Sequence, residues 1–183
     1  LDVVMPGRPG HEVVDALRAV LPEAVDEVGE FRGETTLIVG RERILEVLAY
    51  LRDRATPRFP VLMDLTALDR LPAEPRFEVV YFVTSLDPPA RLRVKTRVSE
   101  EDLVVPTATV LWPAADWLER EVYDLFGIQF SGHPGLTRIL MPDDWEGHPL
   151  RKDFPLIEEP VEFVGRVPKV PSRIIPDVPS KGQ

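Results

Sequence analysis

The chain has 183 residues, which makes one domain the default and leaves room for two small ones. Hydrophobic residues make up 44% and charged residues 29%, enough for a core and a solvated surface, and no run reaches the roughly 18 apolar residues of a membrane helix. The absence of cysteine excludes disulfides, thiolate-ligated iron–sulfur clusters and cysteine nucleophiles, and the net charge of −9 argues against nucleic acid as a partner.

The first residues carry no basic region ahead of an apolar run, so no secretory signal is expected. Any membrane association is therefore expected to come through a partner. Residues 11–24 place Val13, Val14, Leu17, Val20 and Leu21 at helical spacing. Residues 34–39 (ETTLIV) read as a strand. Residues 41–54 put Ile44, Leu45, Leu48 and Leu51 on one helical face. Residues 60–66 read as a further strand. Two runs rich in β-branched and aromatic residues follow, 76–86 and 91–98, with Asp87-Pro88-Pro89 between them. They predict a hairpin whose turn is longer than two residues. In the second run Leu92, Val94, Thr96 and Val98 alternate with Arg91, Arg93, Lys95 and Arg97, a basic stripe that reads as the solvated face of the strand. Pro113 sits where a first-turn proline is tolerated, and residues 114–126 predict a helix that Gly127 would end. Its apolar face is Leu118, Val122, Leu125 and Phe126, and Asp116–Arg120 and Arg120–Asp124 have i,i+4 spacing.

Beyond Ile128 neither period survives, and nine of the 20 prolines fall between residues 134 and 179. The segment still carries Phe130, Leu136, Ile139, Leu140, Trp145, Leu150 and Phe154, too apolar for a solvated tail. Proline prevents it from covering these side chains with regular structure of its own. The reading is an extended arm lying on a surface, more readily that of another protein than its own domain. The fold class is thus α+β: a small mixed or antiparallel sheet with helices packed on it over residues 1–128, then a proline-rich arm over 129–183.

No constellation points to catalysis. Glu119 and Glu121 are two apart on the helix and point in different directions, while Glu121 and Asp124 could share a face. The plainer reading of these carboxylates is a charged face satisfied by Arg120 and by partners. His133 and His148, with Asp143, Asp144 and Glu146 between them, match no zinc spacing, and two histidines in an extended arm read better as hydrogen-bonding anchors. Gly29 and Gly33 belong to neither a phosphate loop nor a dinucleotide fingerprint.

Residues 119–155 read EREVYDLFGIQFSGHPGLTRILMPDDWEGHPLRKDFP. This stretch resembles the signature of the respiratory-chain NADH dehydrogenase 30 kDa subunit family, the C subunit of the bacterial enzyme. The run E-R-E-x-x-D-L-F-G-I stands at 119–128, G-H-P at 132–134, R-I-L at 138–140 and E-G-H-P-L-R-K-D-F-P at 146–155. The family often has a basic residue where this chain has Thr137, a departure that touches one surface ion pair.

The resemblance implies a non-catalytic structural and assembly subunit in the peripheral arm of complex I, on the cytoplasmic side of the cell inner membrane. NADH, FMN, iron–sulfur clusters and quinone would be bound by other subunits. The implied neighbours are the 49 kDa-type quinone-site subunit and iron–sulfur subunits. The residues expected to hold such interfaces are Glu119, Arg120, Glu121 and Asp124 on the helix, then His133, Arg138, Trp145 and His148 along the arm. Leu150, Arg151, Lys152, Asp153 and Phe154 complete the set, with Arg151 and Lys152 pairing with acidic groups or carbonyls of a partner. Three alternatives stand beside this: the equivalent subunit of a membrane-bound hydrogenase or other-donor dehydrogenase, a metal hydrolase using His133 and His148, and a generic adaptor.

Overall fold

A computed structural model describes residues 9–155. Strands β1 (Val25–Phe31), β2 (Glu34–Val39), β3 (Val61–Asp69), β4 (Phe77–Leu86) and β5 (Pro89–Val98) form one sheet in the order β1-β2-β5-β4-β3. All neighbours are antiparallel except β2 and β5. Helices α1 (Pro9–Val20) and α2 (Ile44–Asp53), the latter entered by a 3-10 turn at Arg41–Arg43, supply one apolar side of the core. Helix α3 (Ala115–Phe126) packs along β3, and β6 (Val104–Pro106) pairs in parallel with β7 (Gln129–Ser131) on either side of it. This is the mixed α+β sheet that the sequence implies.

Alternation builds the sheet. On β4, Phe77, Val79, Tyr81 and Val83 face the helices, and on β5 Leu92, Val94, Thr96 and Val98 do, all buried. Val13, Val14 and Leu17 of α1 and Ile44, Val47, Leu48 and Leu51 of α2 close over them. Three of the four basic residues of the stripe on the other face pair with acids across strands. Lys95 Nζ lies 2.9 Å and Arg97 Nε 3.1 Å from the Glu78 carboxylate, and Arg93 lies 2.5 Å from Glu34 while stacking over Phe82.

Three elements differ from the sequence reading. Helix α1 stops at Val20, and the following residues lead into β1, which its charges and Gly29 conceal in the sequence. The β1–β2 turn is Arg32-Gly33, both at positive φ (51° and 81°), the backbone that a two-residue hairpin needs. The β4–β5 turn is also two residues, Asp87-Pro88, because Leu86 pairs with Pro89. Proline is tolerated there as the first residue of its strand.

Leu51 is completely buried and Leu86 is 68% exposed, although both are leucines at element ends. Leu51→Ala is expected to lower unfolding free energy by about 2–5 kcal/mol through the cavity it leaves. Leu86→Ala is expected to change it by no more than about 0.5 kcal/mol. Urea unfolding of the two variants checks the assignment of the core side of the sheet.

Candidate functional site

The signature residues gather at helix α3 and the segment that crosses its C-terminal end, residues 132–155. A helix leaves its last carbonyls without intrahelical donors. Here each is met. Gly127, left-handed at φ 79°, returns its N–H to the Tyr123 carbonyl at 2.8 Å. The Asp124 carbonyl accepts from His148 Nδ1 at 2.9 Å, the Leu125 carbonyl from the Leu150 N–H at 3.1 Å, and the Phe126 carbonyl from Arg151 Nε at 2.7 Å. Arg151 also places a cation at the negative end of the helix dipole. Glycine is required at 127 twice over. Its φ favours glycine, and a Cβ there would lie 2.6 Å from His148 Nε2 and 2.7 Å from Arg151 Nη2.

Asp124 holds the crossing segment from within the helix. It is fully buried, and its Oδ2 accepts the N–H groups of Ile139, Leu140 and Met141 at 3.0, 2.7 and 2.9 Å. Its Oδ1 takes Arg138 Nη1 at 2.6 Å, and Arg138 Nη2 continues to the Gly147 carbonyl at 3.0 Å. Burial alone would push this carboxyl up, but the three N–H donors and the guanidinium outweigh it and hold it below the ordinary aspartate value. Arg120 reaches the same segment from one turn earlier, donating to the carbonyls of Thr137 and Arg138, both at 3.1 Å, so neither i,i+4 pair drawn from the sequence forms.

A second buried carboxylate, Glu119, faces the other way. Its Oε1 accepts the Ala108 N–H at 2.6 Å and its Oε2 the Thr107 hydroxyl at 2.5 Å. The nearest cation-capable group is the buried imidazole of His133, with Nε2 at 4.0 Å from Glu119 and 3.2 Å from Asp116 Oδ1. The Gly135 N–H donates to His133 Nδ1 at 3.0 Å, which leaves the proton of the neutral ring on Nε2. Burial dominates here, aided by Asp116, and raises the Glu119 carboxyl to about 7 despite the Thr107 and Ala108 donors.

The third anchor is Arg76, buried at the start of β4. It bonds Asp69 through Nε at 3.2 Å and Nη2 at 2.8 Å, Glu100 at 2.8 Å, and Asp153 at 2.5 and 3.1 Å. Lys152 adds its N–H to Asp69 at 2.8 Å and its ammonium to the Leu71 carbonyl at 2.9 Å. Burial pushes the Asp69 carboxyl up, but Arg76 and the Lys152 and Leu71 N–H groups reverse this and hold it far below its ordinary value. The end of the signature is thus tied to the β3–β4 connection.

The expected interface residues therefore divide into two groups. Glu119 and Asp124 are internal, and Arg138, His148, Arg151, Lys152 and Asp153 all hold partners in their own chain. Trp145 stacks on Phe154 with ring centres 6.3 Å apart, and Gly147, at φ 84°, packs beneath that ring. Glu121 is exposed and makes no ion pair among the described residues, and Leu150 is 52% exposed. Of the apolar anchors of residues 129–155 that the sequence sends to a foreign surface, Phe130 is buried and Leu136, Ile139, Trp145 and Phe154 are half-buried on their own domain, while Leu140 and Leu150 stay exposed. Residues 156–183 lie outside the described residues. The sequence reading missed Arg76, Asp69 and Thr107. An arginine opening a hydrophobic strand was the available signal for the first, and nothing local marks the other two.

Among the described residues no three His, Asp or Glu side chains are grouped to hold a metal ion. What the geometry does is fix a shape. Asp124→Ala leaves Arg138 and three N–H groups without their shared acceptor and is expected to cost about 3–5 kcal/mol. Asp69 and Asp124 are held below their ordinary values, so the unfolded chain binds the extra protons. Their contribution is complete above about pH 4 and is lost as pH falls toward the folded values. Thermal unfolding from pH 7 to pH 2 should show a fall in stability on the acid side that is shallower in the Asp124→Ala variant.

Residues 37–160 match the family described as respiratory-chain NADH dehydrogenase, 30 Kd subunit. The C subunit of the NADH-quinone oxidoreductase of Roseiflexus sp. (strain RS-1) is 51% identical over 151 residues, covering 82% of this chain and 87% of that one. That of Salinispora arenicola (strain CNS-205) is 49% identical over 166 residues, covering 88% and 68%. Among solved structures, the trypsin-resistant fragment (1-134) of Nqo5 superposes with a TM-score of 0.60 at 37% identity, over 70% of this chain and 99% of that one. A chain of the membrane-bound sulfane sulfur reductase, an archaeal respiratory membrane complex, gives 0.69 at 29% identity, over 81% and 86%. With most of its length matched and its signature residues seated on one helix, the chain belongs to the respiratory-chain NADH dehydrogenase 30 kDa subunit family.

Proposed function

We propose that this chain is the C subunit of a proton-translocating NADH:quinone oxidoreductase and serves it as a structural and assembly subunit of the peripheral arm. The observation that carries the reading is how the signature is used. Asp124, Arg138, His148, Arg151 and Asp153 are committed to hydrogen bonds that seat one segment on one helix, so their role is to hold a shape. In this reading electrons pass through cofactors of other subunits: NADH, FMN, clusters and quinone all bind elsewhere. The cysteine-free sequence supplies no thiolate for a cluster.

The seated segment leaves a face turned outward. Trp117 is 61% exposed with Arg120 over its ring, Leu140 is 58% and Leu150 52% exposed, and Glu121 stands free among the described residues. Apolar side chains of this size on a rigid scaffold suit a permanent interface. The proposed neighbours are the 49 kDa-type quinone-site subunit and iron–sulfur subunits, which would bring the chain to the cytoplasmic side of the inner membrane; no helix among the described residues is long and apolar enough to cross it. A relative from Psychrobacter sp. (strain PRwf-1) is named for the C and D subunits together, and this chain covers 26% of it. In that protein a C-like region is continuous with a second subunit, as suits close neighbours in one complex. The likeness to the sulfane sulfur reductase chain favours an other-donor complex as second reading, but its 29% identity stands against 46–51% for the NADH-quinone relatives.

The test is mild detergent extraction of membranes from a strain carrying a tagged copy of this chain. NADH:quinone oxidoreductase subunits are expected to co-purify, while the pure chain alone neither oxidises NADH nor reduces a quinone. Trp117→Ala and Leu140→Asp are expected to reduce the amount of assembled complex severalfold, with the thermal midpoint of the isolated chain nearly unchanged. Recovery of the chain with hydrogenase or sulfur-reducing subunits would transfer it to the second reading.

A further inference from the structure

Glu119 is unlike the other buried acids. Asp69 and Asp124 each hold an arginine, and Glu78 holds Lys95 and Arg97. Glu119 is 0% exposed and bonds only the neutral donors Thr107 and Ala108. The charged and titratable groups facing it come from each element around it. Asp116 lies on its own helix, and His133 lies in the turn after β7. Tyr81 comes from β4, its hydroxyl buried with no hydrogen-bond partner. On β3, Asp69 is neutralised by Arg76, and Asp64 lies with Phe82 on the opposite face of the sheet. Arg120 is turned away to the Thr137 and Arg138 carbonyls. An ionised carboxylate in these surroundings has no full counter-charge in contact, which makes the neutral form competitive.

A pair of hydroxyls leads from Glu119 to a half-buried residue. Thr107 is buried and Thr109 half-buried, and their hydroxyl oxygens lie 2.8 Å apart. With Glu119 ionised, the Thr107 hydroxyl donates its hydrogen bond to Glu119, so Thr109 must donate to Thr107. With Glu119 protonated, the direction reverses: the carboxylic acid donates to Thr107, and Thr107 donates to Thr109. The Thr109 N–H bonds Thr107 Oγ1 at 3.2 Å in either state. One proton enters at the Thr109 end, two hydroxyl protons shift along the chain, and one appears on Glu119 with no other bond changed.

We propose that Glu119 is a proton-binding site served by the Thr109–Thr107 hydroxyl pair, and that its charge sets how tightly loop 107–109 and the turn at 132–135 close on α3. The Glu119 carboxyl, raised to about 7, supports this on the side of energetics. Folding raises it from the usual range near 4.5, so between about pH 4.5 and 7 the native chain binds one proton more than the unfolded or opened one. Stability contributed by the neutral acid is therefore complete at low pH and is lost as pH rises through the folded value. This is opposite in sign to the aspartates and stands whatever complex the chain joins.

The experiment is an infrared titration of the full chain from pH 5 to 8.5, with hydrogen exchange of the Ala108 and Thr109 amides over the same range. A protonated-carboxyl band is expected to lose intensity with a midpoint between pH 6 and 8 and to be missing in Glu119→Gln. This band separates the carboxyl from His133, which has no such absorption. After correction for intrinsic rates, opening at Ala108 is expected to become more frequent by up to about tenfold per pH unit up to the midpoint, and to be flat in Glu119→Gln. Thr107→Val keeps the carboxyl and removes its donor, so the midpoint should rise by at least about one unit, a tenfold change in proton affinity. A band that is constant across the range, or that persists in Glu119→Gln, overturns the site. An unmoved midpoint in Thr107→Val overturns the role of the hydroxyl pair. Should Glu119→Gln fail to fold, the wild-type titration and Thr107→Val decide alone.

Discussion

The last turn of α3 cannot satisfy its own carbonyls, and its Asp124 carboxylate cannot remain buried without donors. Residues 138–151 supply both at once, through the amides of Ile139, Leu140 and Met141 and through His148, Leu150 and Arg151. This exchange of hydrogen bonds gives an irregular, proline-punctuated segment a single path across the domain. Four backbone N–H groups of the segment, at Ile139, Leu140, Met141 and Leu150, are used where the helix needs donors. The remaining contacts follow from that path. Once Arg151 is seated on Phe126, Lys152 and Asp153 are carried to Asp69 and Arg76, and the strap is fastened at both ends.

The same constraint explains why acids and bases are so dense in this family signature: each seats a different piece of backbone. Glu119 and Asp124 are five residues apart on one helix, yet they serve opposite sides. Asp124 holds the strap through positively charged and N–H donors. Glu119 holds the entry loop through neutral donors alone, and that difference separates their proton affinities in opposite directions. One carboxylate is a permanent anchor. The other is held by neutral donors alone, and burial raises it to about 7.

Much of the sheet and all three helices are legible in the sequence because their periods are strong: Ile44, Leu48 and Leu51 on α2, and the alternation of β5. Strand β1 is not, since Asp26, Glu27, Gly29 and Glu30 break the apolar alternation, and only the pairing with β2 makes it a strand. The signature at 119–155 locates the site and its residue types. It does not reveal that Asp153 meets Arg76 across 77 positions, or that Glu119 reaches back to Thr107. Such pairings follow from topology, which no local spacing encodes. The arm illustrates the limit best. Its apolar residues call for a cover, but the sequence alone does not tell that α3 of the same chain takes up the Ile139, Leu140, Met141 and Leu150 amides while the Leu140 and Leu150 side chains stay exposed.

That the chain seats its own strap is tested most directly by hydrogen exchange of the Ile139, Leu140, Met141 and Leu150 amides in the isolated full chain. The hydrogen bonds to Asp124 and to the Leu125 carbonyl predict protection close to that of the β4–β5 ladder, with the first three amides losing it in Asp124→Ala. Exchange of these amides at the rates of an unstructured chain, while the β4–β5 ladder stays protected, would contradict the account.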